Sequence, residues 1–261
     1  MPLATGPAGG EVDMSDASTS TEIAVARLRE TILRGELRPG DKLHQDQLAE
    51  MLGVSRTPLR TALTALTQSG LVVYESNRGF RVREFSYEEM VGAFEVRAEL
   101  EAMACRKAAA NMTTEVAERL AALVEEGDAL LAPGELVADN LGSYRQMNVA
   151  FHDLVIRIAG NPWIRDFVER LHDVPMASDR IIMWRDYDVI RRSHDDHRRI
   201  ARALARGQGD RAGAIMHEHI TYALEHLLSH LELYPDDFLR VPAATVPAGR
   251  SRRGTNSRRK T

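Results

Sequence analysis

Gly53 lies between two short runs of helical periodicity, and no other feature constrains the N-terminal third of this chain as strongly. Leu48, Met51 and Leu52 recur at the spacing of one helix face, and a glycine can then take the left-handed backbone conformation that ends such a helix. Val54 buries the turn, Ser55 is placed to cap a second helix, and Pro58 falls in its first turn, where a missing N–H costs nothing. Leu59, Ala62, Leu63 and Leu66 form the next apolar stripe, which turns Arg56, Thr57, Arg60, Thr61 and Thr64 outward. The pattern is that of a helix-turn-helix, and a short basic face at the start of its second helix fits the major groove of duplex DNA. From this stretch alone, a plain helical hairpin with solvated arginines competes with that reading.

The flanks favour the first reading. Val25, Leu28 and Ile32 mark an upstream amphipathic helix, with Thr19-Ser20-Thr21-Glu22 as its capping box and Gly35 at its end. Downstream, Leu71-Val72-Val73-Tyr74 and Phe80-Arg81-Val82 are strand-like runs joined by Glu75-Ser76-Asn77-Arg78-Gly79, whose Asn and Gly suit a hairpin. Residues 19–84 are therefore expected to form a winged helix-turn-helix with Arg78 at the wing tip.

Residues 21–83 resemble the DNA-binding domain of the GntR family. The likeness is carried by Gly35-Glu36-Leu37-Arg38-Pro39-Gly40-Asp41-Lys42-Leu43, by Leu48-Ala49 through Ser55-Arg56-Thr57-Pro58-Leu59-Arg60, and by Arg78-Gly79. The resemblance implies a homodimer on a short palindromic operator in double-stranded DNA. Arg56, Thr57 and Arg60 would face bases or phosphates, and Arg78 and Gly79 would approach the minor groove. Thr61 stands where a Glu usually follows, and Gln45 and Asp46 replace the commoner Glu and basic residue, so the bases read from these positions are expected to differ.

Charge separates the two parts of the chain. Ten Lys/Arg against eight Asp/Glu give residues 21–85 a charge of +2, whereas 18 against 27 give residues 86–241 a charge of −9. An acidic body assigns nucleic-acid binding to the small domain. Cys105, the single cysteine, sits in an apolar helical stretch and cannot form an internal disulfide, which suits a reducing cytoplasm. No run is long and apolar enough for a membrane span, so no membrane partner is expected. Residues 1–18 and the basic stretch 242–261 have little to bury and are expected to be disordered.

Between them the periodicity is helical throughout, opened by a second capping box at Ser86-Tyr87-Glu88-Glu89, and predicts an antiparallel all-α bundle of six or seven helices over 86–235. Its expected pieces include 137–159, 163–184, 187–206 and 210–233. Asn148 and His152, four apart, share one helix face. His197 and His219 each lie eleven residues from Gln208, in the turn between the last two helices, which puts them level in an antiparallel hairpin. Three neutral imidazoles and one oxygen suit Zn²⁺, Ni²⁺ or Mn²⁺ better than Ca²⁺ or Mg²⁺. Nine histidines on a helical chain also produce such spacings with no site behind them.

Residues 90–233 resemble the FCD ligand-binding domain of the FadR branch of the GntR family. The matching pieces are Arg97-Ala98-Glu99-Leu100-Glu101, Asn148-Val149-Ala150-Phe151-His152, Gly160-Asn161-Pro162, Asp196-His197-Arg198-Arg199-Ile200, Gly209-Asp210 and His217-Glu218-His219-Ile220. The resemblance implies a divalent metal held by His152, His197 and His219, with a small carboxylate effector bound at or above it. Asn148 stands where the strongest metal binders have Asp, so weaker binding is expected. Arg97 is the residue expected to meet the effector carboxylate, and its competing partner is Glu101, four residues on. Asp196, next to His197, is expected to be a solvated charge near Arg199, with the orienting of a ligand as its competing role. The expected function is transcriptional regulation, as a repressor released or engaged through the helical domain. A metal-dependent hydrolase and a constitutive DNA-binding protein whose helical domain only dimerises stay open as alternatives. The first is opposed by the lack of a His-Glu-x-x-His spacing.

Overall fold

A computed structural model describes residues 14–33, 35–135, 138–174, 176–177 and 187–233. Its first part holds α1 (Met14–Leu33), α2 (Gln45–Leu52), α3 (Arg56–Gln68), β1 (Val72–Glu75) and β2 (Gly79–Val82). The strands pair antiparallel with Val72 opposite Val82 and Glu75 opposite Gly79, forming the wing. Leu28, Ile32, Leu48, Leu59, Leu63, Leu66, Leu71 and Val82 close one small core beneath α1, α2, α3 and the wing.

Two local expectations at the N-terminal side need correction. Helix α1 starts at Met14, ahead of the box at 19–22, so residues 14–18 of the segment expected to be disordered are helical. No proline or glycine between 14 and 22 stops the helix from extending upstream. Ser55 occupies the N-cap of α3, but its side chain makes no capping hydrogen bond. Pro58 is the third helical residue, and the N–H that a capping hydroxyl usually takes is missing there. Gly53 does adopt the left-handed conformation, at φ +68°, and its N–H closes α2.

The second part is all-helical among the described residues: α4 (Tyr87–Ala110), α5 (Thr114–Leu131), α6 (Ala138–Ile158), α7 (Pro162–Leu171), α8 (Tyr187–Ala205) and α9 (Gly209–Leu233). Ser86 and Glu89 form the expected reciprocal cap, Thr113 caps α5, and Asn161 caps α7 with Pro162 in its first turn. A separate apolar core built on Phe94, Leu120, Met147, Phe151, Ile200, Ile220 and Leu227 fills the bundle, with α4 packed along α9 at its centre. The expectations for residues 1–13 and 242–261, and for a helical piece reaching Trp184, lie outside the described residues.

One close approach positions the site. Gly127 of α5 faces the buried ring of His194 on α8, and a Cβ there would overlap that ring and approach the Met147 methyl. His194 Nε2 donates to the Val124 carbonyl at 3.0 Å, so the ring cannot easily swing away. Gly127→Ala is therefore expected to destabilise the bundle by about 1–3 kcal/mol, an overpacking cost read as a lower thermal unfolding midpoint. An unchanged midpoint would show that α5 and α8 can separate freely.

Candidate metal centre and nucleic-acid interface

The bundle brings three histidines from three helices to one buried point. His152 comes from α6, His197 from α8 and His219 from α9, and one ligand atom from each lies within 4.8 Å of the others. His197 and His219 face each other with ring centroids 4.8 Å apart, as their equal distance from the α8–α9 turn requires. His152 Nε2 sits 3.3 Å from His197 Nε2. Phe151 stacks on His197 at 4.5 Å and walls the group from the core side. Asn148 is buried on α6, one turn before His152.

Glu101 is the residue that sequence reasoning missed in this role. Its Oε2 lies 2.5 Å from His152 Nδ1, and its Oε1 accepts from Arg97 Nε at 2.8 Å, with both carboxylate and guanidinium buried. Burial alone would raise the Glu101 carboxyl, but the facing His152 and Arg97 outweigh it and hold the group well below the usual carboxylate range. An ionised carboxylate only accepts, so His152 donates from Nδ1, which leaves Nε2 as the atom facing the other imidazoles. That is the carboxylate–histidine arrangement which orients a metal ligand. His197 Nδ1 and His219 Nδ1, by contrast, have no hydrogen-bond partner among the described residues. The donor set fits a divalent transition ion: three converging imidazoles, one of them beside a carboxylate that orients it.

Arg97 takes the competing partner anticipated for it, Glu101, and Nη1 also donates to the Ala177 carbonyl at 2.5 Å. It is nonetheless two contacts from the histidines, through Glu101. Asp196 is a correction: it is buried, not solvated, and pairs with Arg199 at 2.5 Å, and burial raises its carboxyl pKa. His194, which had no place in the spacing argument, lies behind the cluster with its ring edge-on to His197.

Burial, and then the facing His219 and His152, hold His197 well below the usual imidazole range; burial, then His152 and Arg97, do the same for His219. Both rings are neutral when folded and free to protonate when unfolded. Below about pH 6.5 the unfolded chain takes up more protons, so stability falls as pH falls. Thermal unfolding of chelator-treated protein is expected to show a lower midpoint near about pH 5.5 than near about pH 7.5, and a higher one would contradict the buried neutral cluster.

On the other domain, Arg56, Thr57 and Arg60 are exposed at the start of α3, and Arg78 and Gly79 lie on the wing. A shallow cleft of about 330 Å³ between them is lined by Lys42, His44, Gln45, Asp46, Arg56 and Gly79. Asp46, at the position where a basic residue was the commoner choice, holds Arg56 Nε at 2.8 Å. Arg78 lies 3.7 Å from Glu75. No helix among the described residues is long and apolar enough to cross a membrane.

Comparison with known proteins assigns each half of the chain to a known domain family. Residues 20–82 match the model of bacterial regulatory proteins of the gntR family, and residues 92–222 match the FCD domain model. The chain is 32% identical over 194 residues to the Nta operon transcriptional regulator of Aminobacter aminovorans, covering 73% of this chain and 86% of that one. It is 28% identical over 200 residues to the HTH-type transcriptional repressor GlaR of Escherichia coli, covering 74% and 89%. Among solved structures, E. coli McbR/YncC aligns with a TM-score of 0.67 at 22% identity, over 81% of this chain and 98% of that one.

Proposed function

Because the chain belongs to the GntR family of bacterial regulatory proteins and carries an FCD domain, we propose a specific control circuit for it. The protein is a DNA-binding transcriptional regulator, as its relatives are, and not the hydrolase weighed above. In the circuit, a dimer reads a palindromic operator in the cytoplasm through α3 and the wing of each copy. A small carboxylate effector in the helical domain sets how well the two heads fit their half-sites, and the resting action is repression.

The observation that carries this reading is the buried assembly of His152, His197, His219, Glu101 and Arg97, in a domain joined directly to a head whose Arg56 and Arg60 are exposed. His152, His197 and His219 would hold Zn²⁺, Ni²⁺ or Mn²⁺, with Asn148 offering a neutral amide oxygen. Such an ion supplies a Lewis-acidic anchor for a carboxylate oxygen when bound. Arg97 offers the planar fork of donors for the same anion, once it gives up the Ala177 carbonyl. Support for a second copy comes from apolar side chains at the surface of the helical domain: Trp163 and Phe167, stacked on α7, and Val96 and Met103 on α4. A ligand moves the equilibrium only if it prefers one arrangement of the heads, so effector affinity must differ between the DNA-bound and free forms.

Metal analysis of protein purified without a histidine tag is the test. Wild type is expected to hold an ion near one per chain and His197→Ala to lose it. Wild type that arrives empty, with a melt unmoved by Zn²⁺ or Ni²⁺, removes the metal from the circuit. An effector screen of organic, sugar and amino acids by thermal shift then separates this reading from a constitutive binder, whose operator affinity ignores every small molecule.

A further inference from the structure

Two adjacent residues of α1 reach from the DNA-reading domain to the helical one. Arg29 Nε lies 3.1 Å from Asp173 Oδ1, just past the end of α7, and Glu30 Oε1 accepts from Arg145 Nη2 of α6 at 3.3 Å. A positive–negative couple on the head thus meets a negative–positive couple on the bundle. Asp173 is buried and Arg29 mostly covered, which sets that pair apart from the solvated ones that contribute little, while Arg145 is mostly covered and Glu30 reaches it from the surface. Helix α1 packs on α3 through the buried Leu28 and Ile32, so a displacement of α1 carries the reading helix with it.

The bundle ends of both pairs lead to the candidate pocket. Arg145, Asn148 and His152 are spaced three and four apart on α6, hence on one face. Asp173 follows the buried His172, and the same short segment ends at Ala177, whose carbonyl holds Arg97. Within it Met176 sits at φ +75°, a left-handed conformation that a methionine adopts only when its surroundings impose it.

We propose that the Arg29–Asp173 and Glu30–Arg145 pairs are a latch through which occupancy of the pocket sets the orientation of the DNA-reading domain. The proposal rests on the reading of that pocket as an effector site. An anion that takes Arg97 releases the Ala177 carbonyl, lets Met176 leave its left-handed conformation and loosens the hold on Asp173, four residues before Ala177. A ligand drawing on His152 or Asn148 shifts α6 and with it Arg145. Either movement separates charges on α1 from their partners, and the head turns.

The test uses interdomain distances in the full-length protein. Spin labels are placed through Glu50→Cys on α2 and Glu118→Cys on α5, both exposed, in chains mixed with excess unlabelled protein; Cys105 is buried and stays unlabelled. Arg145→Glu sets two carboxylates against each other, and the double variant Glu30→Arg/Arg145→Glu restores attraction with the partners exchanged. Arg145→Glu is expected to broaden the distance distribution and the exchange to narrow it to the wild-type width. A distribution in Arg145→Glu that superposes on wild type overturns the latch. Zn²⁺ is the ligand probe, and it is expected to displace the wild-type distribution. Zn²⁺ that binds by calorimetry yet displaces nothing overturns the link to the pocket. Zn²⁺ that does not bind counts against the metal centre, and the Arg145→Glu comparison still decides the latch.

Discussion

Glu101→Leu is expected to cost the helical domain about 3–5 kcal/mol of stability, the penalty for leaving a buried charge without its partner. Arg97 is buried, and its Nε has Glu101 as its hydrogen-bond acceptor; the leucine removes that carboxylate and puts nothing polar in its place. The same change leaves His152 Nδ1 without the acceptor that fixes its tautomer. Chemical unfolding followed by circular dichroism reads the first effect, and metal affinity reads the second, expected to fall about 10–100-fold. Arg97→Met combined with Glu101→Leu removes both charges together and should recover much of the lost stability. If the single change left the unfolding midpoint where it was, Glu101 would not be the counter-charge on which the pocket is built.

Arg56→Ala and Arg60→Ala carry the second large effect, each expected to weaken operator binding by about 1–3 kcal/mol where the side chain forms a bidentate contact with guanine. Both residues are exposed at the start of α3, so their loss leaves the small core of Leu59, Leu63 and Leu66 intact and the melt unchanged. Arg56 is held in an exposed ion pair with Asp46, so Asp46→Asn is expected to alter operator affinity less than either arginine change. An arginine that meets only phosphate shows itself differently: its alanine variant weakens all sequences alike and lowers the salt dependence by about one charge. Retention of wild-type operator affinity by both alanine variants would mean that α3 is not the reading helix.

What the sequence made legible is what local chemistry decides. Gly53, Pro58 and the stripe from Leu59 to Leu66 fix the helix-turn-helix within twenty residues, because caps, turns and periodicity act between near neighbours. The level placement of His197 and His219 was also readable, since an antiparallel hairpin converts equal distance from its turn into equal height. Glu101 was visible only as the i, i+4 neighbour of Arg97; its contact with His152 joins residues 51 apart in the chain and depends on how α4 meets α6. The Arg29–Asp173 pair spans the domain boundary and left no trace in spacing or composition. Asp196 was misread because a charged residue is exposed by default, whereas its side of α8 turns inward against the bundle. Ser55 shows the opposite failure, a correct position with no cap, because Pro58 removed the donor.

The central claim is that an acidic helical domain and a basic reading head form one DNA-binding regulator, and titration of a fluorescent inverted-repeat duplex recovered from genomic DNA by the purified protein tests it most directly. At physiological salt the account predicts affinity for that duplex at least about 10³-fold above a scrambled duplex of the same composition, lost in the Arg56→Ala/Arg60→Ala double variant. Equal affinity for the two duplexes, or a double variant that binds as wild type does, would contradict it.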